Sequence, residues 1–185
     1  MNIRLREYNK KRLMKGEKPI AIGCGVNTGS AIIGTLGSSD RMDGTVIGDC
    51  VNLASRLEGL TKTYGSTLLI SSFTKNVLEH PENFLIREVD AVKVKGKDDI
   101  VTIYEVFNSD STDLIEAKLK SLPILNDAIA LYRLRKWDDA IVLFNECKEI
   151  LKTDKVVTSY IDRIEQHKIS APLEDWDGSY KFEHK

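Results

Sequence analysis

Asn52 and Arg56 stand four residues apart in R-M-D-G-T-V-I-G-D-C-V-N-L-A-S-R-L-E, residues 41 to 58. On a helix that spacing places both on one face, one turn apart, where they can meet one group of ligand atoms. The planar guanidinium of Arg56 suits phosphate, because it offers two parallel charged hydrogen bonds. The amide of Asn52 is both donor and acceptor, which suits a sugar hydroxyl or ring oxygen. Thr45 and Asp49 lie just upstream. The same pair is equally what the wet face of an ordinary amphipathic helix shows, and spacing alone leaves both readings open.

The elements that must position this pair follow from periodicity. At about 100° per residue, Ile47, Cys50, Val51, Leu53, Ala54, Leu57 and Leu60 fall in one apolar arc. Asn52, Arg56 and Gly59 fall opposite. This predicts a helix over 47 to 63, stopped at Tyr64-Gly65 and preceded by a polar turn with Asp40, Asp43 and Gly44. Two short Gly-rich, β-branched runs, 20 to 26 and 31 to 36, read as strands joined at Asn27-Thr28-Gly29. Gly23, Gly25 and Gly29 give G-x-G-x-x-x-G followed by a strand, which speaks against a Rossmann fingerprint. Glycine there marks a bulge or a close backbone approach.

Further on, 67 to 70 is a short buried strand, and Ser71 or Ser72 caps a helix over 73 to 79. F-L-I-R-E-V-D-A-V-K-V-K and I-V-T-I-Y-E-V-F alternate and form a hairpin, with Lys95 at its tip. Residues 2 to 15 read as a basic helix; up to Lys18 seven Lys or Arg oppose Glu7 and Glu17, the pattern of a solvated face. After a linker at 108 to 112, helices are predicted over 113 to 121, 124 to 135, 137 to 151 and 155 to 168.

Composition bounds the function. The 185 residues are 42% hydrophobic and 30% charged, with a formal net charge of -1, which speaks against nucleic acid or an anionic membrane as partner. No apolar run spans a bilayer, and the first residues lack the core of a signal peptide. Cys24, Cys50 and Cys147 are far apart and read as reduced thiols of a cytoplasmic protein; no Cys/His spacing resembles a zinc site.

The run T-V-I-G-D-C-V-N-L-A-S-R-L-E, with G-V-N-T-G before it and V-K-V-K-G-K after it, resembles class III nucleotide cyclases, near the C-terminal end of their catalytic domain. The resemblance covers residues 1 to 108. It implies a truncated ferredoxin-like α/β (α+β) fold with a mixed sheet. It implies conversion of ATP to 3′,5′-cyclic AMP and pyrophosphate, with two Mg2+ or Mn2+ ions. It also places the Gly-rich strand pair near the nucleotide and the dimer seam. Residue by residue, Thr45 matches the position that reads the purine edge and Asn52 the Asn that orients the ribose. Arg56 matches the Arg that stabilises the transition-state phosphate, and Lys95 the Lys that holds the outer phosphates.

This chain departs from the family at Gly44, commonly an aromatic residue, and at Asn27, frequently His. The family's two metal-binding aspartates and its purine-reading lysine have no match here. The metal ligands are therefore expected in an N-terminal half absent from this sequence, leaving no metal site in this chain, and the chain alone is expected to be inactive. A parent protein could carry a membrane anchor. A homodimer through the cyclase face is the implied partner. The alternative is a non-catalytic, cyclase-like module that dimerises or binds partners.

Residues 109 to 185 form a helical extension and an irregular tail. A-I-A-L-Y-R-L-R-K-W-D-D-A-I-V-L-F resembles one tetratricopeptide repeat, with Trp137, Ala140 and Phe144 on one packing face. One repeat cannot bury its own faces, so it must pack on the cyclase part or on a partner. A-P-L-E-D-W-D-G-S-Y-K-F resembles tails after some bacterial cyclase domains, with Trp176 as an anchor.

Overall fold

A computed structural model describes residues 2–38, 41–93 and 100–180. The elements, in chain order, are α1 (Asn2–Met14), β1 (Cys24–Val26), β2 (Ile32–Ser38), β3 (Arg41–Ile47), α2 (Asp49–Tyr64), β4 (Leu68–Ser71), α3 (Ser72–Lys75), β5 (Ile86–Lys93), β6 (Ile100–Val106), α4 (Thr112–Arg133), α5 (Trp137–Ile150) and α6 (Lys155–Ile169). The fold is mixed α+β. A four-stranded sheet runs in the order β1-β4-β6-β5, and a separate two-stranded sheet pairs β2 with β3. No helix among the described residues is long and apolar enough to cross a membrane.

Four expectations change. First, β1 and β2 are not paired. β1 joins β4 in parallel, and β2 turns away to pair antiparallel with β3. Second, the residues around Asp43 and Gly44 form strand, not turn, because seven residues of β2 supply the ladder that their local propensity lacks. Third, the helices expected on either side of Leu122-Pro123 are one helix, α4, with Pro123 inside it. Proline removes one donor, but Ser121 and Leu125 on either side are buried, and that packing carries the helix through. Fourth, the helix expected over 73 to 79 is the short α3, capped by the Ser71 hydroxyl, which accepts from the Thr74 amide at 3.2 Å. The hairpin is present as β5 and β6, with a bulge between Glu88 and Asp90. Lys95 lies outside the described residues.

One hydrophobic cluster serves the whole chain. Leu53, Leu57 and Tyr64 of α2 meet Leu69, Val89, Val101 and Ile103 of the sheet; Leu125 and Tyr132 of α4, Phe144 of α5, and Tyr160 and Ile164 of α6 close the same cluster. Ala140 and Phe144 are fully buried, while Trp137 is half-buried and stacks on His167 with ring centroids 5.4 Å apart. Trp176 packs edge-on to Tyr132 at 5.3 Å, and its indole N–H donates to the Ser179 carbonyl at 3.1 Å. The end of the chain then returns to the sheet: the Tyr180 amide donates to Ala91 at 2.8 Å.

Charged groups are also buried between sheet and helices. Arg87 of β5 donates to Glu105 of β6 at 2.5 Å and, with both terminal nitrogens, to Asp154 at 2.5 and 3.2 Å. Lys118 of α4 reaches Glu105 at 2.8 Å and Asp110 at 2.6 Å. Asp154 also caps α6, accepting from Val156 at 3.0 Å. Burial disfavours the Arg87 charge, and the Glu105 and Asp154 carboxylates more than restore it. Removing this cation strands the buried Asp154 carboxylate and leaves Glu105 with Lys118 alone. Arg87→Ala is therefore expected to cost about 3–5 kcal/mol of stability in a urea titration; a loss below about 1 kcal/mol would contradict the pairing.

Candidate functional site

Helix α2 carries the candidate pair, and close backbone approach seats its middle on β1. A Cβ built on Gly25 of β1 would come within 2.3 Å of both the Ala54 carbonyl oxygen and the Glu58 nitrogen. A Cβ on Gly23 would meet the Thr61 hydroxyl at 2.0 Å. The strand therefore lies directly on the helix backbone, where only hydrogen fits. The glycine spacing that fails as a dinucleotide fingerprint is the seat of α2.

The start of α2 is tied down by hydrogen bonds. Asn27 donates through Nδ2 to the Cys50 carbonyl at 3.0 Å and accepts from the Ser71 hydroxyl at 2.6 Å. Thr74 extends this set, its hydroxyl donating to the Val26 carbonyl at 3.3 Å. The Cys50 thiol meets the Ser30 carbonyl at 3.1 Å. Asn27, read from the sequence as part of a strand junction and as a departure from the family, thus joins the first turn of α2 to the end of β4; the spacing carried no signal of this. Of the three free cysteines, Cys24 and Cys50 are half-buried and Cys147 is buried. Burial pushes the Cys147 thiol up to about 11, which keeps it protonated.

Leu53 and Leu57 turn into the core, and Asn52, Arg56 and Gly59 are exposed on the other side, as the period requires. The structure thus brings Asn52 and Arg56 together, one turn apart on one open helix face. Thr45 stands half-buried on β3, opposite Gly34, in the strand that leads into α2. A Cβ at Gly44 would meet nothing within 4 Å, so the side chain this position lacks would stand in open space. Among the described residues, no group of three or more His, Cys, Asp or Glu is placed to hold a metal ion.

The far end of α2 closes in a left-handed C-cap at Gly65, φ 66°, whose amide donates to the Thr61 carbonyl. There the Tyr64 hydroxyl donates to Asp90 of β5. Burial first, and then the Asp90 carboxylate, push the Tyr64 phenol far above its ordinary value, so it remains a donor.

Residues 1–106 match the family described as adenylate and guanylate cyclase catalytic domain. The adenylate cyclase of Dictyostelium discoideum called terminal-differentiation specific is 42% identical over 149 residues, which are 80% of this chain and 7% of that protein. That match is longer than the family match and so runs into the helices beyond residue 106. An adenylate cyclase of Anabaena cylindrica is 47% identical over 107 residues, 55% of this chain and 21% of that protein. The chain therefore spans a small part of these relatives. Among solved structures, the adenylyl cyclase CyaB from P. aeruginosa is 34% identical over 56% of this chain and 51% of that one, with a TM-score of 0.46.

Two glycines of this site separate close packing from mere helix propensity. Gly25→Ala is expected to destabilise by more than about 3 kcal/mol, because backbone must move. Gly59→Ala, on the open face with nothing within 4 Å, is expected to stabilise by about 0.5–1 kcal/mol. Thermal denaturation of the two variants checks both; equal shifts would contradict the seating of α2 on β1.

Proposed function

This chain belongs to the family of adenylate and guanylate cyclase catalytic domains, and from that premise we propose that it is the C-terminal part of the catalytic domain of an adenylate cyclase, followed by a helical extension. The parent protein would convert ATP to 3′,5′-cyclic AMP and pyrophosphate in signal transduction. The observation that carries this reading is the Asn52–Arg56 pair, exposed on a helix whose backbone is seated on β1. In the proposed reaction the ribose 3′ oxygen attacks the α-phosphorus in line with the departing pyrophosphate. Asn52 orients the ribose. Arg56 meets charge that grows on the phosphoryl oxygens in the transition state. Thr45 reads the adenine edge, and Lys95 holds the outer phosphates.

The family's Mg2+ or Mn2+ ions do not fit the residues described here, since no group of metal-ligating side chains forms among them. We assign the ligands elsewhere in the parent. We divide the chain at residues 1–108 and 109–185, the second part tetratricopeptide-like. We further propose a cytoplasmic homodimer through the cyclase face, in which the partner completes each site. Support for the dimer comes from the β2–β3 ribbon, where Ile32, Ile33, Val46 and Ile47 are 74%, 82%, 48% and 53% exposed.

Two kinetic measurements on the complete enzyme test the assignment. Arg56→Ala is expected to lower kcat about 10²- to 10³-fold with little change in KM, because its partner charge exists only in the transition state. A change in KM alone would assign Arg56 to binding. At equal nucleotide, the enzyme is expected to form cyclic AMP faster than cyclic GMP; the reverse ratio would refute the role of Thr45. A complete enzyme that forms neither product would favour the non-catalytic module.

A further inference from the structure

Helix α2 is held at three places, and one of them belongs to the helical extension. β1 lies under its middle at Gly25, and Asn27 binds its first turn. Its last residue, Tyr64, is 2% exposed and hydrogen bonds to Asp90, itself wholly buried on β5. Arg163 of α6 completes this junction. Its Nη2 donates to Asp90 at 2.5 Å and to the Tyr64 hydroxyl at 3.2 Å. The guanidinium lies 4.1 Å from the centre of the Tyr180 ring and 5.1 Å from that of Tyr160. Its Nη1 is buried without a hydrogen-bond partner among the described residues. A buried ion pair with one nitrogen unsatisfied is costly for simple packing: apolar side chains in both places would fill the space without that cost, whereas methionine at 163 alone would leave Asp90 buried without its cation. What the guanidinium does, and methionine would not, is fix the Tyr64 hydroxyl and the Asp90 carboxylate in one geometry.

The first turn of α6 grips the same end of α2. Lys155 donates to the Lys62 carbonyl at 3.3 Å, and a Cβ placed on Gly65 would come 3.1 Å from its Cδ. A helix is stiff along its axis, so a displacement at Tyr64 moves the exposed face two turns upstream, where Arg56 stands. We propose that Arg163, acting through Asp90 and Tyr64, is a positioning residue for the Asn52–Arg56 pair, so that the appended helices belong to the apparatus that aims it. This rests on the cyclase reading given above.

The test has two arms. In the complete enzyme, Arg163→Met and the milder Tyr64→Phe are expected to lower kcat about 10- to 100-fold with KM for ATP within about twofold, since misplacement by about 1 Å is enough. Arg163→Lys is expected to recover part of the lost kcat. In this chain, without nucleotide, Tyr64→Phe and Arg163→Met are expected to speed hydrogen exchange of the amides of residues 52 to 57 about tenfold, while those of residues 128 to 132 in α4 keep their protection. Wild-type kcat in both variants, or a loss in which exchange rises equally in α2 and α4, overturns the proposal. If the wild-type complete enzyme forms no cyclic nucleotide, the cyclase reading fails and the exchange arm alone decides; unchanged exchange in α2 then overturns the positioning role.

Discussion

Asp90 and Glu105 sit in the central sheet with 0% and 2% of their surfaces exposed, and a carboxylate so far from water must have a cation beside it. The strands supply one cation, Arg87. The others come from helices later in the chain: Arg163 for Asp90 and Lys118 for Glu105. Arg87 in turn needs the second carboxylate it finds in Asp154, at the head of α6. Charge balance in the sheet is thus completed from α4 and α6, and the apolar cluster crosses the same boundary. The helical extension is part of the core that the sheet and α2 share, whatever else it binds.

This constraint explains why the candidate site can be so lightly built. Its two side chains, Asn52 and Arg56, are exposed. Precision has to come from the helix that carries them. β1 supplies it through glycine-to-backbone contact, Asn27 through two amide hydrogen bonds, and the Tyr64–Asp90–Arg163 junction through a buried ionic set. Three different kinds of interaction hold one element, and all three lie on the side opposite or beyond the exposed face that carries Asn52 and Arg56.

Much of this was legible in the sequence where the signal is local. The 3.6 period placed Leu53 and Leu57 inward and Asn52 and Arg56 outward, and the structure agrees. Glycine at 23 and 25 was readable as a close approach, though nothing nearby said that α2 is what approaches. What failed was non-local. The partner of β1 is β4, more than 40 residues on, so the neighbouring β2 looked like the natural mate. Arg41 to Gly44 read as turn because the strand that pairs with them decides their state. Alternation in β5 singled out neither Arg87 nor Asp90. Their counter-charges, at 154 and 163, lie on helices whose own periodicity gives no hint of what they face. Pro123 read as a break because local rules ignore the packing on either side.

The most direct test of this account compares the unfolding of residues 1–108 alone with that of the whole chain, by near-ultraviolet circular dichroism in a urea titration. The whole chain should lose its tertiary signal in one cooperative step. Residues 1–108, left without Arg163, Lys118 and Asp154, should show no such step and little tertiary signal. A sharp transition in the shorter piece, at a urea concentration close to that of the whole chain, would contradict the claim that the appended helices complete the core on which the site depends.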